Sequence, residues 1–182
     1  MMSEPAGPQW CARFPPSKSL DDLVPDFSDA VRAFLSQLSK AGASVSIADT
    51  YRPPERAYLM HWSCMVGGSG QDPHGVPPRA GVNIDWTCGG SIAGARAAAR
   101  QMMAGYQIQF PAALESRHTQ RRAIDMTIGW QGTLNIRDFN GQTHAISSSP
   151  RNGSNPDLIK VGATFGVIKL ASDPPHWSDD GH

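Results

Sequence analysis

The sequence predicts an α+β domain in which a small antiparallel sheet carries helices packed on one side. Apolar residues recur at helical spacing mainly in the first half of the chain, whereas strand-like runs dominate the second half. An Asn-Gly pair between two of those runs is a strong signal for an antiparallel hairpin. The length of 182 residues suits one domain of ordinary size, and no internal repeat divides it.

The first half is predicted to begin with a surface arm over residues 1–25, which are rich in proline and lack periodicity. A single domain follows over residues 26–182. Its first helix is predicted from Asp26, a typical N-cap residue, to Gly42, because apolar side chains recur every three or four residues. The next predicted elements are a strand over 43–49, helices over about 54–66 and 91–105, and an irregular Gly- and Pro-rich insertion over about 67–90.

The second half is predicted to supply most of the sheet. A strand is expected over 122–130, and the hairpin is expected where Asn140-Gly141 separates two strand-like runs. The remaining predicted elements are the hairpin strands over 133–138 and 142–147, a short helix over 155–165, a strand over 166–170 and a closing loop, SDPPHWSDDGH.

Composition excludes several classes of function. Sixteen basic residues balance sixteen acidic ones, and a nucleic-acid partner held by phosphate contacts would need a basic face. No stretch of about 20 apolar residues is present, so we expect no membrane insertion. The first 25 residues lack the basic start and apolar run of a secretory signal, so we expect synthesis in the cytoplasm without general secretion.

Cysteine usage indicates neither a disulfide framework nor a zinc ribbon. Cys11, Cys64 and Cys88 are odd in number and widely spaced. We expect three free thiols, and a single Cys64–Cys88 bridge is the alternative if the protein works outside the cytosol.

Two polar clusters near predicted strand ends contain the residues that could carry chemistry. His118 lies just before a strand that contains Asp125, and two prolines fix the backbone between Asp173 and His176. Histidine nitrogens and carboxylate oxygens are good zinc ligands, and a catalytic zinc site uses three protein ligands and one water. His118, Asp125 and His176 would supply the three, with Asp173 beside the water as general base. The spacing alone leaves structural roles for these residues equally open.

Taken in order, these residues resemble the zinc D-Ala-D-Ala carboxypeptidase and L-alanyl-D-glutamate endopeptidase family. That family includes the vancomycin-resistance dipeptidases and many phage endolysins, and it shares its fold with the hedgehog signalling domain. The family has the pattern S-x-H-x-x-G-x-A-x-D, which Ser116, His118, Ala123 and Asp125 match here. It also has an acid before a histidine near the C-terminus, matched by Asp173 and His176. Its upstream Tyr-Arg is matched by Tyr51 and Arg52. The matched span covers about residues 45–178.

The resemblance implies a hedgehog/DD-peptidase-like fold and one Zn²⁺ ion held by His118, Asp125 and His176. It implies Asp173 as the catalytic base and Arg52 as the group that binds substrate or steadies the transition state. Two departures stand out, since Asp173 replaces the usual Glu and Arg121 replaces the family's glycine. If that backbone position requires a positive φ, arginine costs energy there.

Three further residues are expected to contact substrate, namely Tyr51, Ser116 and Trp177. Two of them have an alternative, because Ser116 can be a turn residue and Trp177 can be an ordinary packing residue. Arg52 likewise can form an ion pair with Asp49 or Glu55.

The function expected from the resemblance is hydrolysis of stem-peptide or cross-link bonds in peptidoglycan, as a carboxypeptidase or an endopeptidase. Such a chain would act in the periplasm or cell wall as a phage endolysin, or as an antibacterial effector of a contact-dependent system such as type VI secretion. A periplasmic immunity protein is the expected partner of a delivered toxin. The alternatives are a non-catalytic zinc-containing binding module of the same fold and a peptidase on non-wall peptides.

Overall fold

Four α-helices and eight short strands form the regular structure of residues 3–182, the part of the chain that the computed structural model describes. The helices are α1 (Pro25–Lys40), α2 (Pro54–Gly67), α3 (Ile92–Tyr106) and α4 (Pro156–Thr164). The strands are β1 (Glu4–Pro5), β2 (Ser44–Asp49), β3 (Ile84–Asp85), β4 (Ala123–Gly129), β5 (Leu134–Arg137), β6 (Thr143–Ile146), β7 (Ile168–Lys169) and β8 (His176–Ser178). The predicted α+β class is confirmed.

The chain divides into two compact units. The first contains residues 3–15 and Pro53–Glu115, and the second contains Pro16–Arg52 and Ser116–His182. The sequence contains no sign of this division, because none of its three boundaries is marked by a long flexible linker.

The first unit is built on the packing of α2 against α3. A methyl group added at Gly67 would lie 3.0 Å from the Arg100 main-chain nitrogen, so glycine at this position allows the two helices to approach closely. The residues expected to form a surface arm contribute here, because β1 pairs with β3 in parallel and the Trp10 side chain is only 2% exposed. The expected irregular insertion at 67–90 contains β3 and two short 3₁₀ helices, Pro73–Gly75 and Cys88–Gly90.

The second unit contains a four-stranded antiparallel sheet in the order β2-β4-β8-β7 and a separate β5-β6 hairpin. The hairpin forms where the Asn140-Gly141 pair predicted it. Residues 176–178 form strand β8, so the prediction that they belong to a closing loop is wrong. Three residues after two prolines show too little alternation to be recognised, and pairing with both β4 and β7 makes them a strand.

The apolar core of the second unit lies between the sheet and the helices α1 and α4. Its members alternate along β4 with more exposed side chains, as expected for a sheet with one buried face. The largest are Phe34, Leu38, Ile124, Met126, Ile128, Leu158 and Trp177. Helix α1 starts at Pro25, one residue before the expected N-cap Asp26, because proline has a helical φ and no N–H to satisfy at the first position.

Two further expectations concern cysteines and membrane insertion. Cys11, Cys64 and Cys88 are all free thiols, as expected. Within residues 3–182, no helix has the length and apolar character that a membrane crossing requires.

Candidate metal centre

The three side chains predicted as metal ligands lie together at one point of the second unit. Oδ1 of Asp125 lies 3.1 Å from Nε2 of His118 and 3.0 Å from Nδ1 of His176. The two nitrogens lie 3.1 Å apart. Both histidines are buried, whereas the Asp125 side chain is 18% exposed. The cluster can hold a metal ion, and solvent reaches it beside the carboxylate.

The antiparallel register explains why these residues meet. Asp125 on β4 and His176 on β8 are direct partners, so their side chains share one face of the sheet. His118 belongs to the turn at residues 116–121 that leads into β4, and its carbonyl accepts a hydrogen bond from the Arg52 main-chain nitrogen. Asp49 of β2 is the partner of Asp125 on the other side of β4.

The outer ring nitrogen of each histidine faces a main-chain carbonyl oxygen. Nδ1 of His118 donates to the Thr50 carbonyl at 3.0 Å, and Nε2 of His176 donates to the His182 carbonyl at 3.0 Å. Because a carbonyl only accepts, each outer nitrogen carries a proton, and a neutral ring then presents a lone pair to the cluster. Two lone pairs and a carboxylate oxygen that face one another are stabilised by a cation.

The spacing of the three donor atoms fits a small divalent ion. Tetrahedral zinc binds histidine nitrogens and carboxylate oxygens at about 2.0–2.2 Å, which separates neighbouring ligand atoms by roughly 3.3–3.6 Å. The observed separations of 3.0 and 3.1 Å reach that range with small side-chain shifts. Two imidazoles and one carboxylate are also a known ligand set of catalytic zinc sites with a fourth position for water.

The cluster shifts the protonation of its own members. Without a bound cation, burial opposes the charge of Asp125, but hydrogen bonds and charge from the two histidines in their protonated forms outweigh it and hold the pKa of this carboxyl well below its usual value. Burial also lowers the pKa of His176, but its hydrogen bonds to Asp125 and to the His182 carbonyl outweigh that effect and raise the pKa overall. The carboxylate is therefore charged across the physiological range, as a metal ligand must be.

Asp173, the expected general base, lies on the turn that leads into β8. His176 donates its main-chain N–H to the Asp173 carbonyl at 3.0 Å, which closes the turn through the two prolines. The Asp173 side chain is exposed, and its charge is near enough to contribute to the raised pKa of His176. Asp173 therefore lies on the turn that precedes His176, and its carboxylate is not among the donor atoms of the cluster.

Lys169, which was not predicted from the sequence, holds this turn through hydrogen bonds to its main-chain carbonyls. Its buried ammonium donates to the carbonyls of Leu170 at 2.8 Å, Asp173 at 2.5 Å and His176 at 3.1 Å, so all its N–H donors are used. Burial lowers the pKa of Lys169, and the carboxylates of Asp173 and Asp125 oppose that shift. A single lysine in the apolar run GVIKLA was the available signal, since a buried charge needs partners.

Arg52 lies next to the cluster but is already paired. Its guanidinium lies 3.0 Å from Oδ2 of Asp49, the ion pair considered as an alternative to a substrate role. Oδ1 of Asp49 is buried and has no hydrogen-bond partner among residues 3–182. Because Asp49 is the strand partner of Asp125, this pair holds Arg52 to the strand next to the one that carries Asp125.

Ser116 and Tyr51 take part in the structure around the turn that carries His118. Ser116 accepts from the Thr119 N–H and donates its own N–H to the Thr119 hydroxyl at 2.9 Å, which is the turn role considered as its alternative. The guanidinium carbon of Arg121 lies 4.5 Å from the centre of the Tyr51 ring. Arg121 has a φ of 62°, so the position where the family has glycine does require a positive φ.

Trp177 does not contact substrate, and this expectation is corrected. Its side chain is 0% exposed and packs in the core against Phe34, with ring centres 5.7 Å apart. Successive residues of a strand point to opposite faces, so β8 directs His176 to the cluster and Trp177 to the core. The packing role considered as the alternative is the correct one.

Thr50 and His182 also contribute to the centre and were not predicted. Both act through main-chain carbonyls, and a carbonyl carries no side-chain signal in a sequence.

The chain matches no protein-family model and no curated protein. The family resemblance of the motifs therefore stays a prediction, and the donor set and its geometry provide the basis for a function.

Proposed function

We propose that the protein is a zinc-dependent peptidase of the cell wall, with His118, Asp125 and His176 as the ligands of one zinc ion. The observation that supports this most is the pair of histidines whose outer nitrogens donate to the Thr50 and His182 carbonyls. Both rings thereby present lone pairs to the same point as a charged carboxylate. The order of these residues along the chain supports membership of the D-Ala-D-Ala carboxypeptidase and endopeptidase family with its hedgehog/DD-peptidase fold.

The residues around the ligands have distinct roles in peptide hydrolysis. Zinc bound at such a site supplies a water of lowered pKa and polarises the scissile carbonyl. Asp173 accepts the proton as the water oxygen attacks the carbonyl carbon, and returns a proton to the leaving amine when the C–N bond breaks. Arg52, held by Asp49, binds a substrate carboxylate or the developing oxyanion.

A cleft of about 300 Å³ lies along the part of β4 beyond its pairing with β8, and none of the three proposed ligands lines it. Its walls include the direct chain neighbours of Asp125 and His176. Hydroxyl, amide and apolar groups line it without any charged side chain, as its lining residues are Met126, Thr127, Ile128, Asn152, Gly153, Ser154, Pro174 and Pro175.

The proposed place of action is the periplasm or cell wall, reached by phage lysis or by contact-dependent secretion. A periplasmic immunity protein that covers the cleft would then be the partner of a delivered toxin.

Mass spectrometry of fragments released from purified peptidoglycan tests the proposal. We expect a new fragment whose release is abolished by a chelator and restored by added zinc, and its mass names the bond. His118→Ala is the matched inactive control, since it removes one ligand. If folded protein that holds one zinc ion releases no fragment, the proposed substrate is wrong. If the protein binds no zinc, the proposed metal centre is wrong.

A further inference from the structure

Residues 178–182 form a clasp that returns to the metal ligand His176. The His182 carbonyl accepts the hydrogen bond from Nε2 of His176 at 3.0 Å, on the side of the ring opposite to the cluster. The His182 side chain is 85% exposed, so this contact is made by the main chain. We call residues 178–182 the C-terminal clasp.

Hydrogen bonds inside the C-terminal clasp fix the position of this carbonyl. The buried hydroxyl of Ser178 accepts from the main-chain N–H groups of Gly181 at 2.8 Å and His182 at 3.0 Å. The Asp180 carboxylate accepts from the same His182 N–H at 3.1 Å. Gly181 and His182 are therefore folded back towards β8 by side chains of the clasp itself.

Two arginines tie the C-terminal clasp to the segment that carries the other ligands. Arg117, which directly precedes His118, forms an ion pair with Asp180, and its Nε lies 3.6 Å from Asp179. Arg122, at the start of the segment leading to Asp125, lies 2.8 Å from Asp179 and accepts the Asp179 N–H through its carbonyl. The same two arginines thus connect all three ligand segments.

We infer that the C-terminal clasp is a positioning element that sets metal affinity by fixing the orientation and tautomer of His176. This inference rests on the proposed metal centre. With the His182 carbonyl in place, the proton stays on Nε2 and the lone pair of Nδ1 points at the ligand position. Without it, the ring is free to rotate or to move its proton to Nδ1, and both changes remove the ligand. Loss of such outer partners typically weakens metal binding about 10- to 100-fold.

Deletion of Gly181 and His182 removes the acceptor and leaves all three ligands in the chain. We expect the zinc dissociation constant, measured by competition with a chromophoric chelator, to rise about 10- to 100-fold. The absorption spectrum of the Co²⁺-loaded protein should also change, because it reports ligand geometry. His182→Ala keeps the carbonyl, so its dissociation constant should stay within about threefold of the wild-type value.

A second pair of variants covers the case in which the deletion fails to fold. Asp180→Asn breaks the Arg117 ion pair and loosens the C-terminal clasp without shortening the chain. Its matched control is Asp21→Asn, which breaks the exposed Arg32 ion pair in the same unit. We expect weaker zinc binding for Asp180→Asn and unchanged binding for Asp21→Asn.

The outcomes separate this inference from the proposed function. The inference about the clasp is overturned, and the metal centre is not, if the wild type, the deletion variant and Asp180→Asn all bind one zinc ion equally well. A wild-type chain that binds no zinc overturns the metal centre and the clasp together.

Discussion

Arg121 provides a test of the backbone in the turn that positions His118. Its φ of 62° lies in the left-handed region, where residues other than glycine are strained, and its main-chain N–H donates to the His118 carbonyl at 3.2 Å. The side chain also stacks on Tyr51. The variants Arg121→Gly and Arg121→Ala both lose this stacking, but only glycine removes the strain.

The magnitudes follow from these two contributions. The left-handed conformation costs a non-glycine residue about 1–2 kcal/mol. Glycine removes this cost, but it also stabilises the unfolded state by about 0.4–1 kcal/mol, because it makes the unfolded chain more flexible. We therefore expect Arg121→Gly to be more stable than Arg121→Ala by about 1 kcal/mol. An exposed cation–π contact is worth about 0.5–1 kcal/mol, so Arg121→Ala should fall below the wild type by that amount and Arg121→Gly should lie near it.

Urea unfolding of the metal-free variants measures these differences as shifts in midpoint at constant slope. The matched control is the neighbouring Arg122, whose φ is not positive. There the order should reverse, with Arg122→Gly less stable than Arg122→Ala, because glycine then only adds flexibility to the unfolded chain. If Arg121→Ala proves as stable as Arg121→Gly, the turn is not strained and the reasoning is refuted.

Three further predictions concern the core behind β8, the turn that precedes it and the expected base. Gly162→Ala should lower the free energy of unfolding, measured in urea, by about 1–3 kcal/mol, because the added methyl would lie 2.8 Å from the Trp177 ring. This loss should occur although alanine normally favours helices, and a more stable variant would contradict the packing. Lys169→Met should lower the free energy of unfolding by about 2 kcal/mol and weaken zinc binding, because its ammonium donates to three carbonyls. The loss stays moderate because each carbonyl keeps one main-chain partner. Unchanged zinc binding would show that the turn does not need the lysine. Asp173→Ala should keep one zinc ion by metal analysis and lose at least about 100-fold in turnover, and an active variant would exclude this residue as the base.

The helices and the longer strands could be predicted because their signals are local. The start of α2 at Pro54 and the hairpin around Asn140-Gly141 were found from proline and glycine chemistry within a few residues. Strand β4 was found from a continuous apolar run interrupted by Asp125, and that interruption also marked the proposed ligand. A buried carboxylate in an apolar strand is a signal that needs no knowledge of the partner strand.

The division into two units and the strands β1, β3 and β8 could not be predicted for the opposite reason. Each of these strands has two or three residues, and pairing with a distant segment rather than local propensity makes it a strand. Trp10 is an example of the same effect, because its burial depends on a helix about 90 residues further along the chain, where the Tyr106 hydroxyl donates to its carbonyl at 3.3 Å.

One missed strand accounts for the main error at the site. Once residues 176–178 were assigned to a loop, nothing constrained the direction of Trp177, and an aromatic residue next to a ligand was expected to border the pocket. A strand alternates its faces, so recognising β8 would have placed Trp177 opposite to His176 and in the core. The burial of Trp177 against Phe34 also anchors the strand that delivers His176 to Asp125. The tryptophan thus serves the centre through packing, and the ligand geometry depends on the core beneath it.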